Sequence, residues 1–264
     1  MSFDFSNASD STANPLRYFS DRSEDYEKYR PIHPQSAIDT ILSDSKIQTA
    51  ADVGAGTGIG ARLLADRGVR VFAIEPNADM RNAATSHERV EFLAGTAEQI
   101  ALETASVDLV TSFQAFHWFD FDRSLQEFRR ILKPGGRLAL IWSLWEQRDR
   151  ISKEYTRLIF EASKVEEPRS QTKSWINQLR YQLFWQGLWL PYFKEFKHYE
   201  FIFYQQLDLT GLIGLARSQG FTPSEGAQFD RLVSELSKFY QQFSENGQVR
   251  LTYCTRLYTA LKEQ

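Results

Sequence analysis

Five side chains stand out as able to do chemistry: Asp52, Glu75, Gln114, His117 and Trp118. Asp52 closes a short apolar run, and Gly54-Ala55-Gly56-Thr57-Gly58 follows it directly. Alternate glycines let a backbone turn tightly and come close to a ligand, which side chains would prevent. Glu75 closes a second apolar run about twenty residues past the first glycine, the place for a carboxylate that accepts hydrogen bonds from ribose hydroxyls. A carboxylate at Asp52 would repel a pyrophosphate and suit an ammonium group. Gln114, His117 and Trp118 lie in the stretch Phe113-Gln114-Ala115-Phe116-His117-Trp118-Phe119-Asp120, where a third apolar run ends. A histidine there could accept a proton from a hydroxyl, an amine or an activated carbon, or it could be a hydrogen-bonded structural residue.

The glycine pattern discriminates between ligands. The dinucleotide fingerprint G-x-G-x-x-G/A fails when anchored on Gly54, because Ile59 occupies its last position, and passes weakly as Gly56, Gly58 and Ala61. Acidic-x-Gly-x-Gly-x-Gly from Asp52 describes the stretch better. That favours S-adenosylmethionine, which has a ribose, an adenine and an amino acid but no phosphate. An NAD(P)-dependent oxidoreductase is the alternative enzyme. A non-catalytic S-adenosylmethionine-binding partner protein is the alternative outside catalysis.

Positioning these groups requires a βαβ unit. A strand ends at Asp52-Val53, a helix follows with Ile59, Leu63 and Leu64 on one face, and a strand over Val69–Ile74 leads to Glu75. Asn77 caps a helix to about Thr85. Strands are expected at Val90–Leu93, Val107–Ser112 and Arg137–Trp142, with a helix over Asp122–Leu132 and a tight turn at Lys133-Pro134-Gly135-Gly136. Gly95-Thr96-Ala97-Glu98 opens a turn whose small residues suit an adenine ring. Beyond lie a helix over Ile151–Lys164, a strand over Phe196–Gln205, helices over Asp208–Gln219 and Ser224–Ser244, and a closing strand over Gly247–Leu261. Before the first strand, the expected helices are Arg17–Arg30, stopped by Pro31 and Pro34, and Ser36–Leu42.

The 264 residues suit one α/β domain, with a tail over 1–16 expected to be disordered and the domain over 17–264. Hydrophobic residues make up 42% and charged residues 25%, and the net charge of -3 gives no basic surface for nucleic acid. One cysteine, Cys254, excludes an internal disulfide and a multi-cysteine zinc site, so no metal is expected. No apolar run is long enough for a membrane span and no signal-peptide core is visible, which makes the cytoplasm the expected address. Trp175, Tyr181, Phe184, Trp185 and Trp189 form an aromatic stretch that reads as a cap over an apolar acceptor, a satellite core or a subunit contact. Cys254 reads as a core residue.

The stretches DVGAGTG, AIEPN, GTAEQI, VTSFQAFHWFD and LKPGGRLAL together resemble the class I S-adenosylmethionine-dependent methyltransferases of the small-molecule type. YEKYRPIHP resembles the entry segment of the trans-aconitate-methyltransferase-like group within the methyltransferase type 11 proteins. The resemblance implies a three-layer Rossmann-like sandwich. Its sheet would have seven mostly parallel strands, in the order 3-2-1-4-5-7-6 with the last strand antiparallel. It further implies an entry segment at 17–35 and substrate-side cap segments at 146–195 and 206–244. It implies methyl transfer to a small organic acceptor, S-adenosylhomocysteine as product, and a monomer or homodimer with no nucleic-acid or membrane partner. By the same resemblance Asp52, Gly54, Ala55 and Gly56 line the methionine portion and Glu75 holds the ribose, with Pro76 beside the sugar and Met80 nearby. Thr96, Ala97 and Glu98 border the adenine, and Gln114 meets the amino-acid end and the sulfonium. Tyr26 and Arg30 close the site, Arg30 near the cofactor carboxylate, while His117 and Trp118 face the acceptor. No Asn-Pro-Pro-aromatic run follows the fourth strand, which argues against methylation of nucleobase amino groups.

Overall fold

The computed structural model of the protein describes residues 25, 28–43, 46–163, 192–219 and 222–263. At its centre is strand β1, Thr49–Val53, in which all but Thr49 are buried. Strand β2 (Arg70–Ile74) pairs with it on one side and strand β4 (Val107–Phe113) on the other, both parallel. Burial on both faces is why β1 and β4 read as near-continuous apolar runs and not as alternating ones. Strand β3 (Val90–Leu93) extends the sheet beyond β2, and β5 (Leu132–Trp145) extends it beyond β4, again in parallel. Strand β7 (Val249–Lys262) runs antiparallel to β5, and β6 (Phe193–Leu207) runs antiparallel to β7. The order is β3-β2-β1-β4-β5-β7-β6, the expected seven-stranded arrangement with its last strand reversed.

Helix α1 (Gln35–Ile41) leads into β1, and helices α2 (Ile59–Ala65), α3 (Ala78–Asn82) and α4 (Phe121–Ile131) connect parallel strands. Asn77 caps α3 and Asp120 caps α4, each side chain accepting from backbone N–H groups of the first turn. Neighbouring strand residues point to opposite faces, so Leu109 and Val110 belong to different clusters. Val110 packs with Val53, Leu140 and, from α4, Leu125 and Phe128. Leu109 packs with Ala50, Ile141, Ile38 of α1 and Leu64 of α2. Each fully buried side chain of this size contributes about 1.5–3 kcal/mol, and the two clusters hold the helix–sheet–helix layers together.

Past β5, helices α5 (Arg150–Ala162), α6 (Leu209–Arg217) and α7 (Gly226–Phe243) build a third cluster. Tyr155, Leu212 and Leu236 meet there, on Leu251 and Tyr253 of β7. The aromatic stretch Trp175–Trp189 and the tail 1–16 lie outside the described residues. Among the described residues no helix is long and apolar enough to cross a membrane.

One expected turn is built differently. Lys133-Pro134-Gly135-Gly136 lies inside β5 as a bulge: Leu132 pairs with Val107, and the register resumes at Arg137 opposite Leu109. Asp108 anchors the bulge, its Oδ1 accepting from Lys133 Nζ at 2.7 Å while Oδ2 accepts from Thr49 N at 2.9 Å. That ties β1, β4 and β5 together at the end of the sheet opposite the glycine run.

Candidate cofactor site and active site

The glycine run begins where β1 ends, and two backbone bonds pin it to β2. Gly54 N and Ala55 N both donate to Ile74 O, at 2.9 and 3.1 Å. Gly54 has φ +70°, and a Cβ there would meet the Ala115 Cβ at 2.6 Å and the Phe119 ring at 2.9 Å. Any side chain at this position would push the turn after β4 off the loop. Gly56 has φ +58°, which directs its N–H to Glu75.

Glu75 stands at the end of β2 with both oxygens engaged. Oε2 accepts from Gly56 N and Oε1 from Asn77 N, each at 2.9 Å. The residue is 8% exposed. Burial raises its pKa, and the Asn77 and Gly56 amides offset part of that rise. A carboxylate has about four lone-pair positions, so two remain after these bonds for hydroxyl donors.

Asp52 is fully buried, and on its strand it points to the same face as Ala50, toward α1 and α2. Thr111 Oγ1 donates to its Oδ1 at 2.9 Å, while Oδ2 is enclosed without a hydrogen-bond partner. Burial pushes its pKa up to about 7; the Thr111 bond opposes the rise and the charge of Glu75 adds to it. The carboxylate therefore sits beneath the loop and not at its mouth, where the sequence spacing alone would put it. Thr57 Oγ1 and Ser112 Oγ are also buried without partners. Orphaned polar atoms and paired buried carboxylates converge on the ends of β1, β2 and β4. That donor set fits a cationic nucleoside better than a phosphate.

The opposite wall comes from β4, β5, β7 and the segment before α1. Gln114 adopts φ +58°, uncommon for a residue with a side chain. Its Nε2 donates to Ser143 O at 2.8 Å. A carbonyl only accepts, so the amide nitrogen must face it and Oε1 points the other way. Ser143 Oγ bonds in turn to His33 Nδ1 at 2.8 Å and Thr255 Oγ1 at 2.7 Å. His33 is buried 5.0 Å from the Phe113 ring, and burial lowers its pKa to about 4, which keeps it neutral.

The entry segment docks on the helical layer. A Cβ on Gly214 of α6 would fall 2.2 Å from the Tyr29 ring, and Gln205 Nε2 donates to Tyr29 O at 3.0 Å. Arg30 Nη2 donates to Ser218 O at 3.0 Å, just past the end of α6. Tyr26 lies outside the described residues.

The turn after β3 and the turn after β4 are joined by one bond, Asp120 N to Glu98 Oε1 at 2.9 Å. Thr96 is exposed, but Ala97 is buried in the core, so only its backbone can face a ligand. Pro76 is exposed next to Glu75, and Met80 is buried behind them. His117 and Trp118 sit in a single 3-10 turn, Phe116–Trp118. Trp142 Nε1 of β5 donates to His117 Nδ1 at 3.2 Å. The Trp118 ring lies 5.0 Å from that of His117. Among the described residues no group of three or more His, Cys, Asp or Glu is placed to hold a metal ion.

Residues 51–140 match the family model described as a methyltransferase domain. An uncharacterized methyltransferase of Mycobacterium tuberculosis is 40% identical over 124 residues, 47% of this chain and 51% of that protein. Residues 51–140 carry a methyltransferase domain. The chain spans about half the length of the curated relatives it matches. A solved structure of a candidate type II methyltransferase from Anaeromyxobacter dehalogenans aligns with a TM-score of 0.63 at 21% identity, over 89% of this chain and 98% of that one. Phosphoethanolamine N-methyltransferase 2 of Haemonchus contortus, solved in complex with S-adenosyl-L-methionine, aligns with a TM-score of 0.52 at 20% identity, over 96% of this chain and 61% of that one. At these identities the two structures share the fold with the methyltransferase domain.

Four residues of this candidate site were not singled out from sequence: His33, Thr111, Trp142 and Ser143. All four act through contacts between elements far apart in the chain, and strand periodicity carries no trace of such contacts. Only His33 and Thr111 had a signal, since they lie within the YEKYRPIHP and VTSFQAFHWFD stretches.

Proposed function

We propose that the protein transfers a methyl group from S-adenosylmethionine to a small organic acceptor by in-line displacement. The observation that carries this reading is the pair of buried carboxylates at adjacent strand ends. Glu75 is fixed by the amides of Gly56 and Asn77, and the Asp52 Oδ2 beneath the loop has no partner of its own.

In this reading Glu75 accepts the ribose hydroxyls with its remaining lone pairs, beside Pro76 and with Met80 nearby. The Thr96, Ala97 and Glu98 backbone borders the adenine. The backbone of Gly54, Ala55 and Gly56 runs along the methionine portion, and the charge of Asp52 acts on that cation through the loop. Gln114 Oε1 faces the ammonium and sulfonium end, because its amide nitrogen is held by Ser143 O. Arg30, together with Tyr26, closes the site toward the cofactor carboxylate. His117 and Trp118 contact the acceptor.

The bound sulfonium supplies an activated methyl donor, so the protein's task is alignment and exclusion of water. Trp118 adds an aromatic face, which attracts a nearby cation by about 0.5–2 kcal/mol. Gln114 and the glycine loop set the line between donor and acceptor.

Isothermal titration calorimetry against S-adenosylmethionine and against NAD tests the proposal. Binding of the first and not the second is expected. Tight NAD binding without S-adenosylmethionine binding would replace this reading with the oxidoreductase.

A further inference from the structure

His117 is held between two indoles of different kinds. On its inner side Trp142 is 1% exposed, and its ring meets Phe116 and Tyr258 edge-on at 6.4 and 6.0 Å. That packing leaves the indole no room to turn away. On its outer side Trp118 is 36% exposed.

An indole N–H donates and cannot accept. The imidazole nitrogen that faces Trp142 Nε1 at 3.2 Å, Nδ1, is therefore the one with the lone pair. A neutral imidazole has one N–H, and here it must sit on Nε2. Proton uptake on Nδ1 would set two N–H groups against each other and break this bond, at the cost of a lost hydrogen bond. Nε2 already carries its hydrogen and has no lone pair to offer.

We propose that Trp142 fixes His117 as the Nε2–H tautomer, so that His117 positions the acceptor by donating a hydrogen bond and takes no proton from it. The donor role rests on the methyltransferase reading; the tautomer does not. In the transfer, the acceptor's lone pair forms a bond to the methyl carbon while the carbon–sulfur bond breaks and its electron pair stays on sulfur. Any proton the acceptor still holds leaves afterwards to water. The other imidazole on this wall, His33, is engaged by Ser143 and is too weak a base at a pKa of about 4. Both histidines thus point to an acceptor atom that arrives with a usable lone pair. Trp142 is a positioning residue in this scheme.

The test uses the full chain labelled with 15N-histidine. Two-bond 1H–15N correlation spectra report which ring nitrogen carries the proton, and His117→Gln assigns the His117 signals by removing them. A protonated Nε2 with an unprotonated Nδ1 is expected, and Trp142→Phe should move the ring toward a mixture of both tautomers. A protonated Nδ1 in the wild type overturns the proposal, and should Trp142→Phe fail to fold, the wild-type spectrum decides alone. The donor role is read from transfer of labelled methyl from S-adenosylmethionine into the small-molecule fraction of a cell extract. His117→Ala should lower transfer about tenfold, the worth of one hydrogen bond. His117→Gln, whose amide N–H reaches the place of Nε2–H, should recover to within about threefold of wild type. A loss of about a hundredfold or more in both variants is the mark of a missing base and overturns the donor role. A wild type that binds S-adenosylmethionine yet transfers nothing to the extract overturns the methyltransferase reading and the donor role with it. The spectra then judge the tautomer by themselves.

Discussion

Replacing Asp52 by asparagine keeps the shape of the side chain and removes its charge. In the folded protein the Asp52 pKa stands at about 7 against an ordinary 3.8. Below pH 3.8 the group is protonated in folded and unfolded chains alike and contributes nothing. Between those values the folded chain holds a proton that the unfolded chain has lost, so stability falls as pH rises. Above about pH 7 both forms are ionised and the full penalty, about 4 kcal/mol from the gap between the two pKa values, is in place. The asparagine of the variant would carry no such penalty, though a buried amide with one unmet partner still costs about 1–3 kcal/mol. Asp52→Asn should therefore stabilise the cofactor-free protein at pH 8 by about 1–3 kcal/mol and destabilise it at pH 4 by up to about 2 kcal/mol. Urea denaturation of both proteins from pH 4 to pH 8 reads this directly. Glu75, whose pKa is also raised by burial, gives a slope of the same sign in both proteins, so their difference reports Asp52 together with its coupling to Glu75. A difference that stays constant across that range would refute the account of Asp52 as a buried carboxylate with one oxygen unpartnered. The same group makes binding of a cationic cofactor release a proton near pH 6, which Asp52→Asn should abolish.

Glu75→Ala should weaken S-adenosylmethionine binding by about 2–4 kcal/mol in calorimetry, since it removes charge-assisted bonds to the ribose and frees the Gly56 amide. Unchanged affinity would remove Glu75 from the site. Gly214→Ala should displace the Tyr29 ring that sits 2.2 Å from the new methyl position. Limited proteolysis should then cut near Lys28 or Arg30 faster than in wild type, with the sheet retained in far-ultraviolet circular dichroism.

The parts of the fold that were legible in the sequence are those where local chemistry and tertiary structure agree. The helix expected from Asp208 does begin there, because Asp208 accepts from Gly211 N at 2.7 Å. Val90–Leu93 has the expected bounds because turn residues flank it on both sides. The bulge in β5 was read as a turn because Lys-Pro-Gly-Gly has turn chemistry; the pairing of Leu132 with Val107 is a contact that only the folded sheet supplies. Glu75 and the glycine run were readable together because their spacing is set by a single βαβ unit. Asp52 was readable as to residue and not as to depth, since the side to which a strand residue turns depends on which face the next helix covers. The Trp142–His117 bond joins two residues that are each unremarkable as composition, and it appears only when β4 and β5 lie side by side.

β7 is common to all three hydrophobic clusters. Val249, Leu251 and Tyr253 pack under α5, α6 and α7, while Leu257 and Tyr258 pack on the two faces of the sheet. The helical layer and the nucleoside-fold sheet are therefore not separable lobes joined by a hinge. Heat or denaturant that frees this ribbon from one layer strips it from the others, so the whole assembly should melt as one cooperative unit.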